Sequence, residues 1–244
     1  MNEPQHENAT HRKPGWHLVV PVNDAAIGKS RLARALHRAG PGRERIDLEE
    51  ISRALARDTL HAACEALGPE RVVLVTADEL TAAEWRARGV TSVRDPGAGL
   101  NAAVALGLTM TLTMTPPGAG VAALLGDLPA LQPADLEEAL EAAARHAQSF
   151  VPDADGSGTV LRAAVGQDGH FTPRFGPHSA ARHAADGAAR LDLDLPRLRT
   201  DVDDLESLLT VLRLGAGPST VAAVAAVDRL DLLGWAHAGL GPRL

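Results

Sequence analysis

Carboxylates stand at two places in this 244-residue chain where a metal ion could be bound. Asp127 follows a short apolar run that ends in Gly126, a good position for a ligand of Mg²⁺, which prefers one or two carboxylates together with substrate phosphates. Asp201 begins a second acidic group, with Asp203 and Asp204, ahead of a predicted helix. Two separated carboxylates that converge on a metal are what nucleotidyl transfer needs, so we predict that Asp127 and Asp201 meet. Asp203 or Asp204 would equally serve to cap the helix.

A cationic segment follows the first apolar run, in the stretch VPVNDAAIGKSRLA. Lys29 and Arg31 lie in a predicted loop that enters a helix, and a helix N-terminus with adjacent cations favours an anionic ligand. The stretch also resembles the phosphate-binding loop G-x-x-x-x-G-K-[ST] of kinases and ATPases. Asn23 occupies the place of the first glycine, however, which weakens this alternative because the loop backbone must curl around phosphates.

Three further loops carry groups suited to a nucleotide or a phosphate. Asp95 and Asn101 flank a glycine-rich turn, where they could contact a base or a ribose, and the glycines allow close backbone approach. Residues 152–159 and 173–179 are glycine-rich and contain hydroxyl side chains. We expect both loops to offer free backbone N–H groups, including that of Ser179 at a helix start.

Metal binding through sulfur or nitrogen is not expected. Cys64 is the one cysteine, which excludes an internal disulfide and a cysteine-rich zinc site. His170, His178 and His183 lack a spacing typical of metal ligands. We predict that these histidines lie at the surface or contact substrate.

Composition excludes two classes of protein. The net charge of −7 argues against nucleic-acid binding, which depends on neutralising phosphates, and 2% aromatic residues cannot form stacking platforms. No apolar stretch approaches the ~18 residues that a membrane span needs, and residues 1–15 lack the apolar centre of a secretory signal. We therefore expect a cytoplasmic protein without nucleic-acid or membrane partners.

Short apolar strands alternate with helical patterns through the first ~150 residues, which predicts crossover units and an α/β fold. We expect a Rossmann-like, three-layer, mostly parallel sheet with the chemistry just after Val22, Thr76, Val93 and Leu125, at the carboxyl ends of the strands. The predicted organisation is a disordered arm (1–15), one domain (16–218) and a helical tail (219–244). The predicted strands are 16–22, 71–76, 90–93, 121–125, 149–152 and 158–164, with a strand-like alternation over 191–200. The predicted helices are 31–37, 46–67, 79–88, 100–114, 133–146, 178–189 and 202–214.

Taken together, the motifs resemble those of the guanylyltransferases of coenzyme F420 biosynthesis, which join GTP to phosphoenolpyruvate or 2-phospho-L-lactate. The resemblance covers about residues 16–218 and depends on the order of VPV…GKSRLA, DPGAGLN (95–101), GDLPAL (126–131), DGSGT (155–159), RFGPHS (174–179) and TDVDDLESL (200–208). It implies a GT-A-type nucleotidyltransferase fold and enolpyruvyl-diphospho-guanosine as the product with phosphoenolpyruvate, made without a general base because the attacking phosphate is already ionised.

The resemblance also implies a role for each candidate residue. Thr159, Gly176 and Ser179 would hold the phosphate of the small acid, and Mg²⁺ would bind Asp127, Asp201 and Asp204. Lys29 and Arg31 would meet the triphosphate of GTP, with Lys29 counted among the catalytic residues beside Asp127 and Asp201. Asp95 and Asn101 would lie near the guanosine, and a downstream transferase of the pathway is an implied partner.

Two positions depart from the family pattern. Asn23 stands where the family often has Lys, which removes one candidate triphosphate contact, and Val160 stands where it often has Asn. Besides the kinase or ATPase alternative, three others stay open: the same chemistry on 2-phospho-L-lactate or 3-phosphoglycerate, a nucleotidyltransferase for a sugar phosphate or the molybdopterin cofactor, and a nucleotide-binding module without turnover, which Asn23 alone favours.

Overall fold

The computed structural model describes residues 15–22, 32, 48–116, 118–166 and 170–226. The predicted helix over residues 31–37 therefore falls outside the described residues, apart from Leu32. Within them, seven strands form one sheet. The strands are β1 (Trp16–Val22), β2 (Val72–Thr76), β3 (Thr91–Arg94), β4 (Gly120–Leu124), β5 (Gln148–Pro152), β6 (Thr159–Ala164) and β7 (Ala189–Arg190).

The order of strands in the sheet is β3-β2-β1-β4-β6-β5-β7. β1, β2, β3 and β4 are mutually parallel, and β5 runs parallel to β7, whereas β6 is antiparallel to both of its neighbours. The predicted mostly parallel α/β architecture is thus confirmed. Crossover helices make the parallel half possible, since parallel strands cannot be joined by a tight turn.

Helices cover both faces of the sheet. They are α1 (Leu48–Leu67), α2 (Glu79–Arg86), α3 (Leu100–Met114), α4 (Pro133–Ala143), α5 (Ser179–Ala185), α6 (Pro196–Arg199), α7 (Leu205–Leu214) and α8 (Pro218–Ala226), with a 3₁₀ turn at Pro69–Arg71. No helix among the described residues has both the length and the apolar character that crossing a membrane requires.

The alternation of side chains along the central strands sorts the core into two layers. Leu18 and Val20 of β1 pack in the cluster shared with α1 and α4, whereas Val19 packs in the cluster shared with α3. Gly107 lets α3 lie close to the sheet, because a Cβ atom there would collide with Cγ1 of Val19. The predicted three layers are therefore present.

Two predicted segments differ from the structure. The stretch 191–200 is not a strand, because Pro196 starts the short helix α6, and a proline at a helix start loses no hydrogen bond that the helix could have used. The helix predicted over 178–189 ends at Ala185, and Gly187 turns the chain with a φ of 83° before β7 begins.

The antiparallel strand β6 determines which residues reach the edge where the parallel strands end. Leu124, the last residue of β4, pairs with Leu161, so the first residue of β6, Thr159, lies at the carboxyl end of β4. The amide of Leu125 donates to the carbonyl of Val160 at 2.9 Å and extends this pairing. The β5–β6 turn consequently stands over the edge at which ligands of α/β sheets bind.

Candidate active site

A cleft of about 440 Å³ opens at this edge of the sheet, within the size range of small-molecule sites. Its lining comes from the end of β1, the turn after β4, the β5–β6 turn, the loop before α5 and the segment before α7, with Ser52 and Ala56 of α1. It contains Asp127, Thr159, Gly176, Ser179 and Asp201. The structure thus brings together five of the residues singled out in the sequence.

Three carboxylates form one group in the cleft. Asp127, Asp201 and Asp203 each offer an oxygen atom, and these atoms lie within 4.8 Å of one another. The Val202 amide donates to the carbonyl of Asp127 at 3.1 Å, which ties the two segments together. Val202 is fully buried, whereas Asp201 and Asp203 on either side of it line the cleft. The prediction that Asp127 and Asp201 converge agrees with this geometry.

Asp203, and not Asp204, completes the group, whereas the family resemblance implies Asp204 as the third ligand. Asp204 is the residue that caps α7: its carboxylate accepts the amide of Ser207 at 2.9 Å. The hydroxyl of Ser207 in turn accepts the Asp204 amide at 3.0 Å. The helix cap that was expected from Asp203 or Asp204 is thus made by Asp204.

The β5–β6 turn is held together by a side chain that sequence reasoning overlooked. The Asp153 carboxylate accepts the amides of Ser157 at 3.0 Å and Gly158 at 2.8 Å, and its carbonyl accepts the amide of Gly156 at 3.1 Å. The expectation of free N–H groups in this turn is therefore wrong for these three amides. They are used to shape the turn that presents Thr159.

The loop before α5 is held by Arg182, which lies one turn into that helix. Its guanidinium donates to the carbonyl oxygens of Arg174, Phe175 and Pro177 over distances of 2.6–3.2 Å. Gly176 has a φ of 107°, a backbone conformation that favours glycine. This set of bonds fixes the path of the loop past the cleft.

Thr159 and Ser179 both line the cleft, Thr159 from the β5–β6 turn and Ser179 from the start of α5. The sequence predicted a free amide at Ser179, but this amide donates to the Gly176 carbonyl at 3.0 Å. The Ser179 side chain is 1% exposed, and its oxygen has no hydrogen-bond partner among the described residues. The side chain of Ser179, and not its amide, is therefore the group available to a ligand.

His183 is fully buried behind Thr159, which corrects the prediction that it lies at the surface or contacts substrate. Nδ1 of its ring lies 3.0 Å from the hydroxyl oxygen of Thr159. His178 and His170 are exposed. The periodicity of α5 is the signal that could have found His183, since it lies four residues after Ser179 on one helix face.

The two residues assigned to the guanosine, Asp95 and Asn101, both make hydrogen bonds to the protein backbone. Asn101 accepts the amide of Phe175 at 2.7 Å and donates to its carbonyl at 3.1 Å, so its amide joins α3 to the loop before α5. The Asp95 carboxylate accepts the amide of Gly97 at 2.8 Å and closes its own turn. Their contact with a nucleoside stays a prediction. Lys29, Arg31 and Asn23 lie outside the described residues.

Comparison with known proteins gives a consistent result over most of the chain. The family model of the MobA-like NTP transferase domain matches residues 48–167. The phosphoenolpyruvate guanylyltransferase of Thermomonospora curvata is 47% identical over 86% of this chain and 89% of its own length. That of Streptomyces coelicolor is 44% identical, over 86% and 96%.

Solved structures support the fold. A protein of Desulfovibrio desulfuricans G20 described as a nucleotide-diphospho-sugar transferase superposes with a TM-score of 0.61 at 13% identity, covering 91% of this chain and 98% of its own. A cytidylyltransferase of Leptospira borgpetersenii gives 0.55 at 11% identity, covering 95% and 100%. At these identities the likeness concerns the fold alone, and it confirms the predicted GT-A-type nucleotidyltransferase architecture.

Proposed function

The chain belongs to the phosphoenolpyruvate guanylyltransferase family, and from that premise we propose that it joins GTP to phosphoenolpyruvate, releasing pyrophosphate. The product would be enolpyruvyl-diphospho-5′-guanosine, an intermediate on the route to coenzyme F420. The observation that carries the proposal is the cleft itself, in which three carboxylates face two buried hydroxyls. A site of this kind has groups for a metal-bound nucleotide and for a second anion.

The donor set suits a hard divalent cation. Asp127, Asp201 and Asp203 offer only oxygen atoms, which are the ligands that Mg²⁺ prefers. We propose Mg²⁺ at these three residues, where it would supply charge neutralisation for the phosphate oxygens of the nucleotide.

The chain's own residues then have to bind and align two anions. In the proposed reaction a phosphate oxygen of phosphoenolpyruvate attacks the α-phosphorus of GTP, a new P–O bond forms, and the bond to pyrophosphate breaks. The attacking phosphate carries its charge already, so no side chain is needed as a general base. Thr159 and Ser179 would donate their hydroxyl protons to the small acid, with Gly176 allowing close approach of the loop. Catalysis is then positioning together with electrostatic stabilisation.

The remaining assignments complete the proposal. Lys29 and Arg31 would contact the triphosphate, and Asp95 and Asn101 would lie near the guanosine. We keep the division into an arm (1–15), a domain (16–218) and a tail (219–244), a cytoplasmic location, and a downstream transferase as a partner, as proposals of the same kind.

The test is pyrophosphate release from GTP with phosphoenolpyruvate, 2-phospho-L-lactate and 3-phosphoglycerate supplied one at a time, with and without Mg²⁺. We expect release with phosphoenolpyruvate that requires the metal. Orthophosphate release in place of pyrophosphate would indicate the ATPase alternative, and GDP formed without either product would indicate the kinase alternative. No pyrophosphate release with any acid would contradict the proposal.

Asp127→Asn is the matched variant for this assay. It removes the charge of one metal ligand with almost no change in volume, so turnover should fall by at least about 10²-fold while the thermal unfolding temperature stays close to that of the wild type. Asp194→Asn, at an exposed position outside the cleft, is the control. Wild-type turnover in Asp127→Asn would contradict the assignment of the site.

A further inference from the structure

The hydrogen bond between Thr159 and His183 can run in either direction, and the proposed reaction does not decide which group donates. Both side chains are buried, at 3% and 0% exposure, and the Thr159 oxygen lies 3.0 Å from Nδ1. A hydroxyl can donate or accept, and a neutral imidazole carries one proton on either nitrogen. Which group donates decides what Thr159 can offer to a ligand in the cleft.

The other ring nitrogen distinguishes the two arrangements. Nε2 of His183 is buried and has no hydrogen-bond partner among the described residues. If the proton were on Nε2, a buried N–H would be left unpaired, which is the rarer and costlier case. With the proton on Nδ1, only a lone pair on Nε2 is left without a partner. Hydrogen-bond accounting therefore places the proton on Nδ1, donating to the Thr159 oxygen.

The surroundings of the ring keep it neutral. The Phe150 and Phe175 rings lie on two sides of it, with centroids at 5.8 Å and 5.4 Å. Burial, followed by the nearby positive charge of Arg162, lowers the pKa of His183 to about 4. The ring is consequently a single-proton group at neutral pH.

We propose that His183 is a positioning residue: its Nδ1–H donates to the Thr159 oxygen, so the Thr159 hydroxyl proton points into the cleft as a donor to an anionic acid. Thr159 lines the cleft, and its hydroxyl oxygen lies 3.0 Å from Nδ1 of the ring, within hydrogen-bond distance. A hydroxyl group that accepts a hydrogen bond from one neighbour can still donate its own proton to a second neighbour. An anionic ligand, which can only accept hydrogen bonds, suits that second place. The inference rests on the proposed function for the identity of the acid and not for the direction of the bond.

A pair of variants separates positioning from packing. His183→Leu fills much of the space without a ring nitrogen, and His183→Asn places an amide group close to where Nδ1 stands. We expect His183→Leu to raise the KM for phosphoenolpyruvate by about tenfold or more, with little change in kcat or in the KM for GTP. His183→Asn should recover most of that affinity, although both variants lose contacts with Phe150 and Phe175.

Combining His183→Leu with Thr159→Val tests whether His183 acts on the KM through the Thr159 hydroxyl. If His183 acts through the hydroxyl, His183→Leu should add almost nothing to the KM change once the hydroxyl is absent. Equal increments in the two backgrounds, or an Asn variant no better than the Leu variant, would overturn the proposal.

A measurement without substrate keeps the test independent of the reaction. Two-bond proton–nitrogen NMR correlations of the ¹⁵N-labelled wild type report which imidazole nitrogen carries the proton, and the resonance missing from His183→Leu identifies His183. We expect protonated Nδ1 and unprotonated Nε2, and protonated Nε2 would overturn the proposal. If the wild type released no pyrophosphate with any acid, the proposed function would fail, and this spectrum would still decide the direction of the bond.

Discussion

Acidification should destabilise the folded protein through His183, and the effect can be isolated by replacing that one residue. The pKa of His183 is lowered to about 4 in the folded state, from an ordinary value of 6.5. Burial is the largest cause, followed by the charge of Arg162. Arg182 and Arg174 act in the same direction, and Asp186 opposes them. The unfolded chain therefore binds a proton between pH 6.5 and 4 that the folded chain does not.

The sign and the size follow from this difference. Stability falls as pH drops through the window, because the unfolded state gains the proton first. The two pKa values differ by about 2.5, so the full loss below pH 4 is about 3 kcal/mol, and about 2 kcal/mol of it is reached by pH 5. Near pH 7 the contribution is close to zero, since neither state holds the proton there.

The assay is denaturant unfolding of the wild type and of His183→Leu from pH 7.5 to 4.5. The buried His17, whose pKa is also lowered by burial, titrates in both proteins, as do the carboxylates, so the difference in unfolding free energy isolates His183. We expect the stability gap between wild type and variant to close by about 2 kcal/mol from pH 7 to pH 5. Parallel pH profiles would show that His183 is not held neutral, and the reasoning from its burial would be wrong.

Three other substitutions test contacts that build the site. Asn101→Ala should cost about 1–3 kcal/mol in urea unfolding and raise the KM for the acid, because it removes both hydrogen bonds to the Phe175 backbone. Wild-type values in both assays would show that these two bonds do not hold the loop. Gly126→Ala should cost about 1–3 kcal/mol of unfolding free energy and lower kcat, since the added Cβ would stand 2.6 Å from the carbonyl oxygen of Pro21 in β1. Gly15→Ala is the control, because no atom lies within 4 Å of the added carbon. Equal unfolding midpoints for the two variants would refute the clash. Asp58→Ala should cost about 1–2 kcal/mol by urea unfolding, because the buried carboxylate accepts two amides in the first turn of α8, at 2.7 Å and 3.1 Å; an unchanged midpoint would mean that these bonds do not stabilise the fold.

The elements that sequence reasoning located well are those whose signal is local. The helix predicted over residues 100–114 is α3, Leu100–Met114, and the apolar run at 16–22 is β1, Trp16–Val22. A period in hydrophobicity and a breaking residue determine such segments. The prediction of a strand-like segment over 191–200 was wrong because the alternation of apolar residues there belongs to an irregular segment that contains the short helix α6. This segment is not part of the sheet.

The site shows the same division. Asp127 could be singled out because it stands at the end of an apolar run, and such ends meet at one edge of an α/β sheet. Thr159 is indicated instead by its glycine-rich loop and by the family resemblance. The choice between Asp203 and Asp204 could not be made, since it depends on the buried side chain of Val202 and on the amide of Ser207, which only the folded chain places.

The sequence by itself determined the fold class, the residues that reach the carboxyl edge of the sheet and the family resemblance, because apolar periodicity and motif order are properties of the chain read in one dimension. The tertiary structure alone decided the direction in which groups face and which of them are already bonded. Asp153 uses the amides of its turn, the amide of Ser179 is taken by Gly176, and His183 is enclosed behind Thr159. Hydrogen-bond availability depends on every neighbour in space, and those neighbours come from segments far apart in the sequence.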